Sequence, residues 1–519
     1  MSFTREEMAA RAADTGTEWD FLVIGGGATG AGVAVDAASR GLSVLLVDRG
    51  DFGKGTSSRS TKLVHGGVRY LQQGNISLVM EALKERGILR DNAPHLVHDL
   101  PFVVPNYTWW EAPFYGIGLR IYDLLAGKHG FGPSRNLSVE KTLERIPTIE
   151  TEGLRGGVVY YDGQFDDSRL LINLVQTAAE HGAAAVNYME AVRILRRDDL
   201  VCGAVLRDRE TGEEHTVRAR AVINAAGPFV DGVRRLDEPD AAPMIRPSQG
   251  VHIILDRSFL PGDSAIMVPH TDDGRVLFAI PWRGRTLVGT TDTPIDDLPG
   301  EPRAQDQEVE FLLSHAARYL TRDPGRDDVL SVFAGIRPLA AGDAATTAAL
   351  SRDHTLHISR SGLVTITGGK WTTYRKMAED TVDQAATIAR LDPPPCATKT
   401  LRIHGHVERA EEFGELAVYG ADALSVLNLV RESPQNAEQL HPDLETIEAE
   451  VIWAARHEMA RTVEDVLSRR TRCLLFNAAA SVEAAPRVAA ILAKELGRDA
   501  AWQAAQARAF EETAAVYRL

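Results

Sequence analysis

Three glycines near the N-terminus have the spacing of a phosphate-binding turn. The turn Gly25-x-Gly27-x-x-Gly30 follows an apolar run at 20–25 and precedes a small, alanine-rich run at 28–40. In such a turn one glycine makes the sharp bend, the next lets backbone amides approach a pyrophosphate, and the third lets helix and strand pack closely. The helix N-terminus adds unpaired N–H groups and a partial positive charge. Glycine clusters also form plain turns, but the flanking runs favour a bound pyrophosphate here.

A carboxylate at the end of the next predicted strand indicates that the bound ligand is a dinucleotide. The run SVLLVD at 43–48 predicts a buried strand that ends at Asp48, which completes a strand–helix–strand unit. A carboxylate at this distance from the glycine turn accepts a hydrogen bond from a ribose hydroxyl. The alternative is that Asp48 is an ordinary acid at a strand end. Because Asp48 occurs together with the glycine turn, the dinucleotide is favoured.

The chain beyond Asp48 distinguishes two dinucleotides. A nicotinamide enzyme would continue with further regular βα units. Here a glycine- and hydroxyl-rich stretch at 53–71 follows instead, and a strand that ends in Ala225-Ala226-Gly227 comes much later. This interleaving is characteristic of flavoproteins that resemble the D-amino-acid oxidase group, although Gly227 alone also fits a simple strand-end turn. The predicted cofactor is therefore FAD.

Length, composition and charge limit the function classes. A chain of 519 residues exceeds the usual size of one core, so two or three domains are expected. The net charge of -15 argues against a nucleic-acid binder, while local arginines can still hold a small anion. The three cysteines, Cys202, Cys396 and Cys473, have neither metal-binding nor disulfide-framework spacing, which fits a reducing cytoplasm. We find no signal peptide and no apolar run of spanning length, so we expect no membrane crossing.

The remaining periodicity gives the fold class. Short β-branched or alternating runs at 243–330 predict antiparallel strands, and the pattern beyond about 400 is helical. We predict an α/β protein in which a Rossmann-like FAD-binding domain is interleaved with an antiparallel-sheet substrate domain, followed by a C-terminal α-helical domain. The expected boundaries divide the chain into an oxidoreductase region and a helical domain: 1–395 (FAD-binding parts about 18–80, 155–240 and 330–395; substrate-domain parts about 81–154 and 241–329) and 396–519.

Five motifs carry a narrower resemblance. They are TSSRSTKLVHGGVRYL (56–71), NAAGPFV (224–230), GTTDTP (289–294), GIRPL (335–339) and GGKWTTYRKMAE (368–379). In this order they resemble the FAD-dependent, aerobic-type glycerol-3-phosphate dehydrogenase family. The match runs from about residue 20 to 395, and the helical tail fits the family's C-terminal domain.

The resemblance places these motifs around the isoalloxazine ring and a three-carbon phosphorylated substrate. The residues expected to bind FAD come from the glycine turn, the motifs and the strand ends: Gly25, Gly27, Thr29, Gly30, Asp48, Thr56, Ser57, Ser58, Ser60, Lys62, Leu63, His65, Gly66, Gly67, Val192, Ala226, Gly227, Gly335, Arg337, Gly369, Lys370 and Thr372.

Basic residues in the motifs suit the phosphate of such a substrate. A phosphate dianion is held by guanidinium forks and an ammonium, and Arg69, Arg337 and Lys370 lie beside glycines or a proline. Surface ion pairs are the alternative for each of them. Tyr70 and His252 complete the expected substrate-binding set. Lys370, with the helix N-terminus that follows it, also suits stabilisation of negative charge on the reduced flavin.

The oxidation moves a hydride from substrate C2 to flavin N5 while the C2 hydroxyl loses a proton. Histidine is the usual base at neutral pH, and two candidates lie in suitable segments. His65 lies among glycines in LVHGG, and His252 lies on a predicted substrate-domain strand. We favour His65 slightly, and proton transfer assisted by Arg337 is a further alternative.

The electron acceptor implied by the resemblance is a membrane quinone. The segment WWEAPFYGIGLRIYDLLAG at 109–127 either lies in the lipid interface or caps the active site. We therefore expect a cytoplasmic protein, peripheral on the inner face of the cell membrane, and a homo-oligomer, namely a dimer. The rival functions are an oxidase that produces peroxide from oxygen, an amine or amino-acid oxidase, and a flavin-binding scaffold without turnover.

Overall fold

The computed structural model describes residues 3–72, 74–269, 271–272, 274–340 and 354–519. The helices in this part of the chain are α1 Arg5–Ala13, α2 Ala28–Ser39, α3 Val68–Gln72, α4 Ile76–Asn92, α5 Glu111–Ala126, α6 Val139–Arg145, α7 Asp167–Glu180, α8 Val230–Asp237, α9 Asp306–Ala317, α10 Tyr374–Ala389, α11 Ala423–Glu432, α12 Glu448–His457, α13 Cys473–Phe476, α14 Ala478–Leu496 and α15 Ala500–Ala514.

The strands form two large sheets and one hairpin. They are β1 Glu18–Ile24, β2 Val44–Val47, β3 Leu63–Val64, β4 Val97–Asn106, β5 Arg135–Leu137, β6 Gly156–Phe165, β7 Ala184–Val186, β8 Met189–Arg197, β9 Leu200–Asp208, β10 Glu214–Asn224, β11 Ile245–Asp256, β12 Ala265–Val268, β13 Leu277–Trp282, β14 Arg285–Gly289, β15 Thr293–Pro294, β16 Val329–Ala340, β17 His354–Ile358, β18 Val364–Gly368, β19 Gln439–His441 and β20 Leu444–Ile447.

The first sheet has the order β17-β18-β10-β1-β2-β7, with β9 on β10 and β8 on β9. Its centre is parallel, because β1 pairs in parallel with both β2 and β10, and β10 pairs in parallel with β18. Both faces of these strands are covered, which explains their continuous apolar runs. Helix α2 packs so closely on α10 that a Cβ at Gly32 would lie 2.8 Å from the Tyr374 ring. The predicted strand–helix–strand unit is confirmed.

The second sheet is largely antiparallel and has the order β15-β11-β14-β13-β12-β4-β6-β3, with β16 on β11 and β5 on β6. The interleaved fold class is therefore confirmed. In this sheet β6 pairs with β4 and β16 pairs with β11, although most residues of β6 and β16 fall in ranges that we assigned to the FAD-binding domain. The domain boundaries stay a proposal.

One segment in the C-terminal part is long and apolar enough to cross a membrane. An 18-residue window within Ala410–Glu432 has a mean hydropathy of 1.3. The backbone is kinked at Gly414 and Gly420, where φ is 57° and 56°, so the segment is not one continuous helix. Tyr419 and Val426 are buried in a small apolar core with α12. We interpret the segment as part of the helical core.

His404 joins the start of the C-terminal part to α7. Its Nδ1 lies 2.6 Å from Glu180 and its Nε2 lies 2.7 Å from Asp422. Burial lowers the pKa of His404, but the hydrogen bonds to Asp422 and Glu180 outweigh it and raise the pKa to about 9. The pKa of His404 in the folded state is thus higher than the unfolded value of about 6.5. The charged imidazole therefore stabilises the fold fully below about pH 6.5, and this stabilisation is lost as the pH rises through about 9.

We therefore expect His404→Gln to lower the urea midpoint of unfolding at pH 6 and to leave it nearly unchanged at pH 10. Urea denaturation of both proteins at the two pH values checks this. An equal loss of stability at pH 6 and pH 10 would contradict the charged role of His404.

Candidate functional site

A cavity of about 1300 Å³ lies where the two sheets meet. The parallel strands β1, β10 and β18 end at it with the glycine turn, the segment Ala225–Gly227 and the turn around Gly369. The antiparallel sheet contributes His252 from β11 and Arg337 from β16. Ligands of parallel α/β sheets bind at the carboxyl ends of the strands, so this cavity has the expected position for a nucleotide.

The glycine turn leaves no room for side chains. Gly25 has a φ of 115°, and a Cβ on Gly30 would lie 1.8 Å from the carbonyl oxygen of Gly25. Gly27 precedes α2 without a side-chain cap, and the Ala28 N–H donates to Ser57 Oγ at 2.9 Å. The N-terminus of α2 therefore opens onto the cavity without a capping side chain at Gly27, as suits a helix end that binds a pyrophosphate.

Asp48 holds the end of this turn. Its Oδ2 accepts from the Gly26 N–H at 2.7 Å, and its Oδ1 accepts from the Gly50 N–H at 2.8 Å. Desolvation outweighs both hydrogen bonds and raises the pKa of Asp48 to about 6. The side chain lines the cavity, and each carboxylate oxygen has capacity for a second donor such as a ribose hydroxyl.

His252 is buried in the wall of the cavity. Its Nε2 lies 2.9 Å from Thr61 Oγ1, and its ring stacks on Phe333 with 4.8 Å between the ring centroids. Burial, together with the nearby cations of Lys62 and Arg337, holds the pKa of His252 well below its usual value. The imidazole is therefore neutral at physiological pH and resists protonation.

His65 lies in a segment that is fixed through its backbone. The His65 N–H donates to Thr372 Oγ1 at 3.2 Å, and the next N–H, of Gly66, donates to Asp162 Oδ1 at 3.3 Å. Asp162 also accepts from the Tyr122 hydroxyl, at 2.8 Å. The His65 side chain is half-buried and lines the cavity, so it is the more accessible of the two histidines.

The structure describes the side chains of two of the three predicted basic residues, Arg337 and Lys370. Among the described residues, Arg337 donates to Gln249 O, Asp292 Oδ1, Thr290 Oγ1 and Thr291 O at 3.0 to 3.3 Å. The Lys370 ammonium lies 4.0 Å from the centroid of the Tyr70 ring. Both cations line the cavity, whereas Tyr70, although described, is not one of its lining residues. The side chain of Arg69 lies outside the described part of the chain.

Comparison with known proteins covers the whole chain. Residues 20–375 match a family described as FAD dependent oxidoreductase, and residues 361–503 match the C-terminal domain of alpha-glycerophosphate oxidase. The mitochondrial glycerol-3-phosphate dehydrogenase of Macaca fascicularis is 43% identical, over 93% of this chain and 71% of its own length. The mitochondrial glycerol-3-phosphate dehydrogenase of Arabidopsis thaliana is 43% identical, over 95% of this chain and 85% of its own length.

The chain belongs to the FAD-dependent glycerol-3-phosphate dehydrogenase family. A solved structure agrees with this assignment: the glycerol-3-phosphate dehydrogenase from Bacillus halodurans, complexed with FAD, is 31% identical with a TM-score of 0.81, covering 99% of this chain and 98% of that one. The cofactor is FAD, and the chain is an oxidoreductase.

Most residues predicted to bind FAD in this family member line the cavity. They are Gly25, Gly27, Thr29, Asp48, Thr56, Ser57, Ser60, Leu63, His65, Val192, Ala226, Gly227, Gly335, Arg337, Gly369, Lys370 and Thr372. Those that lie behind its wall are Gly30, Ser58, Lys62, Gly66 and Gly67. Together with the N-terminus of α2, which has no capping side chain at Gly27, the lining residues fit a bound dinucleotide. Their individual roles stay predictions.

Sequence reasoning missed several lining residues. Thr61 and Trp371 fall inside two quoted motifs, and Trp371 Nε1 donates to the Ser57 carbonyl at 2.8 Å, so the motifs themselves were a usable signal. Phe278, Leu298 and Gly300 come from the antiparallel sheet and the loop beyond it. No local pattern marks these three, because only the tertiary fold brings them to the cavity.

Proposed function

We propose that this enzyme oxidises sn-glycerol 3-phosphate to dihydroxyacetone phosphate and passes the electrons to a quinone. The observation that carries the proposal is that one cavity holds the dinucleotide turn, two histidines, and the cations of Arg337 and Lys370. Bound FAD supplies the acceptor that takes the hydride from substrate C2. The protein's residues must then bind the phosphate and take one proton.

Arg337 and Lys370 supply the charge for the phosphate. The hydrogen bonds from Arg337 to described residues are between 3.0 and 3.3 Å long. A phosphate dianion makes shorter, charge-assisted hydrogen bonds and competes well with such contacts. A carboxylate substrate needs fewer cations, so this pocket favours a phosphorylated alcohol over an amino acid.

We propose His65 as the proton acceptor, with His252 the alternative. A base works best when its pKa lies near the operating pH. The buried position of His252 and the cations of Lys62 and Arg337 oppose its protonation, which makes it a weak base. His252 is better suited to orient the substrate while Thr61 fixes its ring.

The outer face of α5 supports contact with a membrane and hence a quinone acceptor. Its exposed apolar side chains recur at helical spacing: Trp110, Phe114, Ile117, Ile121 and Leu124, with Trp109 just before the helix. The inner face carries Tyr122, which bonds to Asp162 behind Gly66. One helix thus packs against the His65 segment and presents aromatic and aliphatic side chains outward, as interfacial helices do. We infer a cytoplasmic protein, peripheral on the membrane.

Two negative charges introduced on the outer face of α5 should weaken lipid binding. Ile117 and Leu124 are 62% and 80% exposed, and each would bury its side chain in the interface. Burying such a side chain contributes about 1.5–3 kcal/mol, so we expect Ile117→Glu with Leu124→Glu to weaken binding to anionic lipid vesicles at least 10-fold. The matched control is Leu200→Glu with Leu424→Glu, which adds the same charge at other exposed leucines. Weaker vesicle binding of the Ile117/Leu124 double variant than of the control, measured by sedimentation, supports contact between α5 and the lipid. Equal binding of the two double variants contradicts it.

The acceptor itself is tested with an oxygen electrode. With glycerol 3-phosphate we expect little oxygen uptake and rapid reduction of a soluble quinone analogue. Oxygen uptake matched by peroxide, unchanged by the quinone analogue, would instead assign the enzyme as an oxidase. Turnover of glycine or another amine in place of glycerol 3-phosphate would favour the amine oxidase function, and absence of any turnover would favour a scaffold.

A further inference from the structure

A buried carboxylate at the start of α7 accepts hydrogen bonds from three residues in two parts of the chain. Asp167 Oδ2 accepts from the Ser60 N–H at 3.0 Å, from Ser60 Oγ at 2.7 Å and from Lys62 Nζ at 2.7 Å. Asp167 Oδ1 accepts from Arg472 Nη2 at 3.0 Å. Asp167, Lys62 and Arg472 have no solvent exposure. The cluster is therefore fully desolvated, and its charges depend on one another.

The same two cations also hold one backbone carbonyl. Lys62 Nζ lies 2.9 Å from Ser58 O, and Arg472 Nη2 lies 2.7 Å from it. Burial, with the nearby guanidinium of Arg472, lowers the pKa of Lys62 to about 7 against the opposing effect of Asp167. The planar guanidinium of Arg472 offers several N–H donors, so one side chain holds both Ser58 O and Asp167.

The segment at 56–61, tied down by this cluster, forms part of the FAD cavity. Thr56, Ser57, Ser60 and Thr61 all line it. Ser57 Oγ accepts from the Ala28 N–H at the start of α2, and Thr61 Oγ1 lies 2.9 Å from His252. One short segment therefore touches both the pyrophosphate end and the histidine end of the site.

Arg472 reaches this segment from the C-terminal part of the chain. It lies between a π-helical turn at Asp465–Arg470 and α13, with a left-handed φ of 69°. In the same turn Arg469 and Arg470 bind Asp51, in the loop that also lines the cavity near Gly50 and Gly53. The C-terminal part thus contacts the back of the cofactor loops through arginines and contributes no lining residue of its own in the described chain.

We propose that Arg472 is a positioning residue for FAD, so that the C-terminal domain completes the cofactor site of the other domains. Without its guanidinium, the Ser58 carbonyl loses one of two donors and the buried Asp167 loses one of two cations. Breaking one partner of a buried charge cluster is strongly unfavourable, and the strain falls on the segment that lines the cavity. This inference concerns FAD retention and is independent of the proposed substrate.

The test compares Arg472→Met with a matched arginine that also bridges the C-terminal part to the rest of the chain. Arg461 binds Glu210 and Glu6 at 2.8 and 2.9 Å and contacts no residue of the 56–61 segment. FAD affinity is measured by titrating each apoprotein with FAD and following the flavin fluorescence, and hydrogen exchange of the Ser60 and Lys62 amides is measured in each holoprotein. Urea midpoints report the global loss of stability in each variant.

We expect Arg472→Met to raise the dissociation constant of FAD at least 10-fold and to accelerate exchange at both amides. Arg461→Met should keep the parent affinity for FAD even where its urea midpoint falls equally. A parent-like affinity in Arg472→Met, or an equal loss in Arg461→Met, would overturn the proposal. If Arg472→Met does not fold, Arg472→Lys carries the test: its single ammonium is too short to hold both acceptors, so we expect at least a threefold loss, and parent-like affinity and exchange would overturn the inference.

Discussion

Replacing Arg337 with methionine should raise the KM for glycerol 3-phosphate by about 100-fold. Hydrogen bonds to a charged group contribute about 1.5–3 kcal/mol each, and a guanidinium fork offers two of them to a phosphate. Losing about 3 kcal/mol of such binding corresponds to roughly a 100-fold change in a binding constant. Because the phosphate does not change during the reaction, the loss should fall mainly on KM rather than on kcat.

The control for this variant is Arg322→Met, at an exposed arginine that pairs with Asp328 outside the cavity. FAD content must be measured in both variants, because Arg337 also lines the cofactor cavity. Free glycerol lacks the phosphate, so the variant should lose most of the preference for glycerol 3-phosphate over glycerol. An unchanged KM with full FAD content would show that Arg337 does not bind the phosphate.

The second large effect is expected at His65. General base catalysis by a placed side chain contributes about 10²–10⁴-fold, so His65→Asn should slow anaerobic flavin reduction by at least 100-fold. Stopped-flow absorbance of the flavin band measures this rate. A parent-like rate in His65→Asn would contradict its role as the proton acceptor.

His252→Asn provides the internal comparison. Its imidazole is already neutral because burial and the cations of Lys62 and Arg337 hold its pKa well below the usual value. We therefore expect His252→Asn to alter substrate affinity more than the rate of flavin reduction. If His252→Asn slows flavin reduction strongly and His65→Asn does not, the two roles are exchanged.

The sequence is sufficient for the cofactor end of the site because its signals are local. Gly25, Gly27 and Gly30 lie within one turn, and the apolar runs beside them predict β1, α2 and β2 with bounds close to those observed. The change to antiparallel strands and the helical tail also follow from periodicity. The substrate end came from the resemblance, since no periodicity brings His65, His252 and Arg337 together.

Lys62 shows where sequence reasoning stops. The resemblance places Lys62 among the residues expected to bind FAD, and the structure places its ammonium on Asp167 and Ser58 O, outside the residues that line the cavity. That position depends on Arg472, hundreds of residues later in the chain, and no local pattern connects the two. For the same reason, the pairing of β6 with β4 and of β16 with β11 cannot be predicted from either segment alone, because it depends on distant parts of the chain.

Anaerobic titration of the purified holoprotein with glycerol 3-phosphate tests the central claim most directly. The visible absorbance band of oxidised flavin should bleach in full with about one equivalent of substrate, and dihydroxyacetone phosphate should accumulate in step. Unphosphorylated glycerol at the same concentration should leave the band intact. A flavin band that persists with excess glycerol 3-phosphate, in protein that dithionite still reduces, would contradict the assignment of this cavity to glycerol 3-phosphate oxidation.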